Sequence, residues 1–251
     1  VPQERTEAVV LRGVDFSESS RIVTFLTPGR GRVACLAKGA RRSKSPLRAA
    51  LDTFNRVEIV YYWKPGRSVQ ALAEAAVLDG FAGLKERLDK VTYAAFPLEL
   101  AYKASREDDP SEELYTTLVA GLEALVEWAG DVRTHVCWQV WRILVAAGFE
   151  PSLDQCVLCG ADVGSAMGFL YDGGAVCPRC RPDRVLSPPE RASLCALAGA
   201  GGCCPPVSLA ASVLELLRRY AAHQLETDFR SVRVIEQMFD GRQAQDRADS
   251  V

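Results

Sequence analysis

Two C-x-x-C pairs, CVLC at 156–159 and CPRC at 177–180, enclose seventeen residues, and no other feature narrows the folding options of this chain as far. Each pair folds two sulfurs around one side of a small cation. Gly160 and the Gly173-Gly174 pair permit the turns that bring the two halves together. The pattern C-x2-C-x17-C-x2-C falls within the spacing of zinc sites. Four thiolates complete a tetrahedron and leave no position open for water or substrate, so the expectation is one structural Zn2+ per chain on Cys156, Cys159, Cys177 and Cys180. A redox pair would sit at a helix start in a βαβ setting, whereas these lie in a Gly-rich stretch with Pro178 inside the second. An iron–sulfur cluster also takes four cysteines, but two compact pairs flanking a hairpin have the form of a zinc ribbon. Such a site fastens a module too small to build its own core. It says how the chain holds together rather than what it does.

Five further cysteines, Cys35, Cys137, Cys195, Cys203 and Cys204, are expected to be small buried hydrophobes. Nine cysteines in a chain whose opening, VPQERTEAVV, lacks a signal peptide's apolar core favour metal ligation over a disulfide framework. No apolar run is long enough to span a bilayer. A reducing cytoplasmic location with no membrane partner is therefore expected.

The first eighty residues have the pattern of strands. EAVVLRG, RIVTFLT and RVACLAKG are short and rich in β-branched residues, with Pro28-Gly29 as a turn. FNRVEIVYYW places Val57, Ile59 and Tyr61 on one face, and SVQALAEAAVL follows after the KPGR turn. Between the third and fourth strands, Ser45-Pro46 is suited to start a short helix. Five strands with a helix between the third and fourth is the plan of an OB-fold barrel. From residue 81 the periodicity turns helical. One helix is expected from Phe81 to about Arg106, broken or kinked at Pro97, and a second is capped by Asp109-Pro110-Ser111-Glu112. A third runs over 131–147, a fourth is capped by Ser187-Pro188-Pro189-Glu190, a fifth covers Ser208 to about Glu226, and a last short one lies in SVRVIEQMF. The fold class is multidomain α+β: an OB-fold over 1–80, a helical domain over 81–150 and 187–251, and an inserted four-cysteine module over 151–186.

Charge is unevenly distributed. Residues 1–80 carry thirteen Lys and Arg against eight Asp and Glu, and the remainder seventeen against twenty-four. No acid occurs between Glu18 and Asp52, a stretch that contains Arg21, Arg30, Arg32, Lys38, Arg41, Arg42, Lys44 and Arg48. Such a region on Gly-bearing backbone can follow a phosphate chain without reading sequence. It has no aromatic between Leu26 and Thr53, so stacking would have to come from Phe16, Tyr61, Tyr62 or Trp63, which are equally candidates for the core. OB-folds also tend to bind through strands 2–3 and the 1–2 and 4–5 loops, not through the 3–4 connection.

GRGRVACLAKGARRSKSPLRAALDTFN, followed by LDQCVLCG, GGAVCPRC and HQLETDFRS in this order, closely resembles the RecO family of bacterial recombination-mediator and DNA-repair proteins. The resemblance spans nearly the whole chain, and AKGARR is its most specific part. It implies an N-terminal OB-fold, a helical domain and a zinc module. It implies binding to single- and double-stranded DNA, annealing of complementary strands, complex formation with RecR, contact with the acidic tail of single-strand binding protein, and, indirectly, help in loading RecA. Carried over by position, Arg30, Arg32, Lys38, Arg41, Arg42, Lys44 and Arg48 are the candidate DNA contacts, and Cys156, Cys159, Cys177 and Cys180 the metal ligands.

No catalytic constellation is expected. The two histidines, His135 and His223, lie on separate helices without a nucleophile motif, as packing and exposed residues respectively. Neither a Walker A nor a Rossmann fingerprint is present. Annealing requires charge neutralisation, not bond chemistry. The other class of function compatible with these residues is a zinc-ribbon adaptor whose basic region meets an acidic protein tail.

Overall fold

The computed structural model describes residues 2–164 and 167–235. It divides into two compact units, Val1–Val91 with Ala101–Glu127, and Thr92–Leu100 with Trp128–Val251.

The first unit is built on a closed five-stranded barrel of order β1-β2-β3-β5-β4. Its strands are β1 (Gln3–Asp15), β2 (Arg21–Thr27), β3 (Gly31–Ala37), β4 (Arg56–Tyr62) and β5 (Gln70–Asp79), with α1 (Leu47–Ala50) between β3 and β4. This is the OB plan, and β1 makes it possible. Its first half pairs with β4 and its second half with β2, Val9 facing both Arg56 and Leu26. A register shift between Val10 and Arg12 bends the strand at the handover. β3 and β5 close the ring as a short parallel pair at Cys35–Gln70 and Leu36–Ala71. Alternation dictates the core: Val23, Phe25, Val33, Cys35, Val57, Ile59 and Tyr61 all point inward and are buried.

The helices of this unit beyond the barrel are α2 (Ala82–Lys85), part of α3 (Leu88–Ala104) and α4 (Glu112–Glu127). α4 buries Leu114, Leu118, Leu122 and Leu125, and its Tyr115 hydroxyl donates to Glu7 of β1. The buried Lys90 ammonium donates to the Val126 carbonyl at 2.6 Å, complementing the negative end of α4. Two expectations are corrected here. Pro97 does not interrupt its helix, because Ala94, Phe96, Leu98, Leu100 and Ala101 around it are buried and that packing outweighs the lost hydrogen bond. The break falls earlier, between α2 and α3. The second helix starts after Ser111, whose hydroxyl accepts from the Leu114 amide, and not at Asp109. Residues 106–109 are instead held against the start of β3: the Arg32 amide donates to the Arg106 carbonyl, and Gly31 bridges Glu107.

The second unit contains residues 92–100 of α3, α5 (Val132–Ala146), α6 (Pro188–Ala198), α7 (Ala210–Gln224) and α8 (Arg230–Ile235). The Asp131 side chain caps α5 by accepting from the Arg133 amide. Ser187 and Glu190 form the expected capping box at α6, with Pro188 in its first turn. His135 is buried between the rings of Trp128 and Trp138, while His223 lies exposed on α7. Cys35 and Cys137 are buried, but Cys195 on α6 and Cys203 in the loop before α7 are exposed, which corrects the expectation of burial. Cys195 falls on the solvent side of its helix, and the Gly-rich loop carries Cys203 outward. The last helix is described to Ile235, and the remainder of SVRVIEQMF lies outside the described residues.

Candidate nucleic-acid interface and metal centre

The four-cysteine cluster joins a C-x-x-C turn at 156–159 to a second at 177–180, which follows the first strand of a three-stranded sheet of order β7-β6-β8, where β6 is Gly168–Leu170, β7 is Gly174–Val176 and β8 is Arg184–Val185. Gly174, at φ +130°, lies where a Cβ would come within 2.2 Å of the Ser152 carbonyl oxygen, so only glycine lets the two halves meet. Gly160, at φ +71°, turns the chain after Cys159 and donates its amide to the Cys156 carbonyl. The four sulfurs lie within 4.8 Å of one another, with Cys159 and Cys177 Sγ atoms 3.7 Å apart. Sulfurs at about 2.3 Å from a tetrahedral zinc ion are separated by about 3.8 Å, so the arrangement fits such an ion. The Cys177 backbone amide, then those of Leu158 and Cys159, hydrogen-bond the Cys156 sulfur and hold its thiol down at about 6. Cys180 is pushed up to about 12 by hydrogen bonding with the sulfurs of Cys159 and Cys156. Four sulfurs this close become thiolates together only around a cation. The donor set is soft and closed, suited to a structural ion.

β8 is tied to the helices by a nearly buried carboxylate. Glu190 pairs with Arg184 of β8 and accepts from Ser187 and, at 2.6 Å, from Ser212 of α7. Burial alone would raise its carboxyl, but these donors and the Arg184 charge hold it at about 2.

The seven candidate DNA contacts divide into two groups. Arg30 and Arg32 belong to the β2–β3 turn and the start of β3, and both are engaged within the unit. Arg30 forks onto Glu4 with contacts of 2.7 and 2.5 Å, reaches Asp108 at 3.0 Å, and lies over the Trp63 ring. Arg32 donates to the Tyr102 carbonyl at 2.8 Å and lies over the Tyr102 ring. The others lie after β3 on the exposed segment 38–48. Lys38, Arg42 and Lys44, with Ser45, Pro46 and Leu47, line one side of an open groove of about 610 Å³ whose other side is Ala73, Glu74 and Ala75 of β5. Among the described residues, Lys38, Arg42, Lys44 and the nearby Arg48 form no ion pair. Arg41 turns the other way: it lies 3.3 Å from Asp15 and donates to the Ser17 carbonyl at 2.7 Å, pinning the segment to the β1–β2 loop. Of the candidate stacking residues, Tyr61 is core and Trp63 lies against Arg30, whereas Phe16 and Tyr62 are exposed.

Two family models match the chain, Recombination protein O N terminal over residues 2–81 and Recombination protein O C terminal over residues 85–233. The chain belongs to the RecO family. Among curated relatives, the DNA repair protein RecO of Anaeromyxobacter sp. (strain K) is 38% identical over 178 residues, 69% of each chain. The DNA repair protein RecO of Thermobifida fusca (strain YX) is 30% identical over 239 residues, covering 92% of this chain and 98% of that one. This membership places the protein in DNA repair and recombination and agrees with the barrel, the helical unit and the four-cysteine cluster. Among the described residues, no helix is long and apolar enough to cross a membrane.

A second concave feature lies within the helical unit. A groove of about 250 Å³ is walled by Tyr93, Phe96, Leu214 and Val232 and rimmed by Arg133, Glu215 and Arg218. Sequence reading missed it, because its walls and rim come from four separate helices, α3, α5, α7 and α8.

Proposed function

We propose that this chain is a non-enzymatic DNA-binding mediator that holds single- and double-stranded DNA without sequence preference and anneals complementary strands. With RecR it helps load RecA on DNA coated with single-strand binding protein, acting in the cytoplasm at the nucleoid. The observation that carries the reading is the groove after β3. Lys38, Arg42 and Lys44 converge there without carboxylate partners among the described residues, and Arg48 extends the charge. Phosphate is the ligand that such unpaired cations on exposed backbone suit. Annealing follows if neutralised strands can approach on this face. The module of residues 151–186, with zinc on Cys156, Cys159, Cys177 and Cys180, serves stability alone. The helical groove, apolar with two arginines at its rim, is the place offered for an acidic protein tail.

The test is binding of a fluorescent oligonucleotide across a salt series, comparing the native chain with Lys38→Ala/Arg42→Ala/Lys44→Ala. Loss of three phosphate contacts flattens the log–log slope by about 2. An unchanged slope would move the DNA site off the barrel. No binding at low salt would leave the adaptor reading in its place.

A further inference from the structure

Phe16 is the most exposed aromatic among the described residues, with 63% of its surface accessible. It stands at the start of the β1–β2 loop and contributes nothing to the barrel core. Yet the loop that carries it is well tied. The Phe16 and Ser17 amides both donate to the Ser20 carbonyl, and the Ser20 amide donates to the Ser17 hydroxyl. Arg41 then joins this loop to the basic segment, its amide donating to the Ser19 carbonyl at 3.0 Å and its guanidinium to the Ser17 carbonyl. Ser17 is the next residue after Phe16, and Arg42, the next after Arg41, lines the basic groove. An exposed ring and the groove cations, which form no ion pair among the described residues, are thus carried on two segments bonded to each other through Arg41.

We infer that Phe16 stacks on an unpaired nucleobase of a strand whose phosphates lie in the Lys38–Arg42–Lys44 groove, and so favours single-stranded over double-stranded DNA. This rests on the phosphate-binding reading of that groove. Cations alone bind any phosphate chain, paired or not. A ring standing outside the core can stack only where a base is free of its own neighbours, and because every base has a π-face the contact carries no sequence preference. Arg41 is the positioning residue: engaged by Asp15 and Ser17, it orients the loop instead of meeting phosphate. The connection between β3 and β4 gains its partner for recognition in the β1–β2 loop, where OB-folds commonly bind.

The test uses the full chain, a fluorescein-labelled thymidine 20-mer and a 20-base-pair duplex, with Phe16→Ala and Phe16→Trp. Phe16→Ala should weaken the single strand roughly tenfold, the scale of one stacked base, while leaving the duplex unchanged and the salt slope unaltered. Phe16→Trp should restore the affinity and show indole quenching beyond that of the native chain when the single strand is added. Equal loss on single strand and duplex, or no loss on either, overturns the stacking role. If the native chain binds neither DNA with a salt slope, the groove reading fails and takes this inference with it. If the groove variant flattens the slope and Phe16→Ala does nothing, only the stacking inference falls.

Discussion

The guanidinium of Arg30 lies 3.9 Å from the centroid of the Trp63 ring while its edge forks onto the Glu4 carboxylate. Tyr61 donates to the same carboxylate at 2.7 Å. Two strands, β1 and β4, and two turns of the barrel meet at one arginine. The Glu4 carboxyl is held below its usual range, first by the Arg30 hydrogen bonds, against burial that would raise it.

Arg30→Ala should therefore act on stability. Removing a partly buried bidentate pair and a cation–π contact should cost on the order of 1–3 kcal/mol, read as a lowered denaturation midpoint at unchanged slope. The salt slope of DNA binding should stay at the native value, because Arg30 already has its carboxylates. A flattened slope with unchanged stability would instead make Arg30 a phosphate contact.

This division of the arginines was not legible in the sequence, and the reason is physical. The stretch from Ser19 to Leu51 is free of acids along the chain, but Glu4 arrives by strand pairing and Asp108 from beyond α3. Local features fared better. The β2 strand, the alternation of Val57, Ile59 and Tyr61, the α6 capping box and the convergence of four cysteines are all set by neighbours a few residues apart or by ligand spacing. Where long-range packing decides, as at Pro97 inside α3 or at the α4 start displaced to Ser111, propensity gave the wrong boundary. Phe16 was legible as a candidate for stacking, but only the fold separates it from Tyr61 in the core.

The cysteine cluster predicts one tightly held metal ion per chain, measurable by elemental analysis of purified protein. Cys177→Ser should release it, since three thiolates no longer close the tetrahedron. A strong chelator should have the same effect. The expected consequence is proteolytic sensitivity within 151–186, because ligand binding is what folds such a module. The barrel core has no residue in the cluster, so its protection in hydrogen exchange should persist. Full metal retention in Cys177→Ser would contradict the four-sulfur site.

Glu190 gives a pH dependence with a definite sign. Its folded carboxyl, at about 2, lies below the ordinary 4.5, so its contribution is fully present above about pH 4.5 and is lost as pH falls toward 2. At neutral pH the shift corresponds to roughly 3 kcal/mol. Glu190→Gln should lower the melting temperature at pH 7. It should also remove part of the acid-induced loss between pH 4.5 and 2 that the native chain shows. Parallel pH profiles for the two proteins would mean that Arg184 and Ser212 do not stabilise the charged form.

Gly31 joins β3 to the segment that precedes α4, and its substitution should be severe. The residue sits at φ +60°, and a Cβ there would lie 2.3 Å from the Asp109 carbonyl oxygen and 2.6 Å from that of Arg106. Both obstacles are backbone, so neither can swing aside. Gly31→Ala would combine left-handed strain with displacement of the 106–109 segment, which holds the Arg32 amide at 2.8 Å. The expected loss is about 2–4 kcal/mol, measured by denaturant unfolding. Gly29→Ala, two residues away with nothing within 4 Å of the added carbon, should cost less than about 1 kcal/mol. Comparable losses in the two variants would show that the β2–β3 turn tolerates or rejects side chains generally. A large loss confined to Gly31→Ala would locate the constraint at its contact with the Arg106 and Asp109 carbonyls.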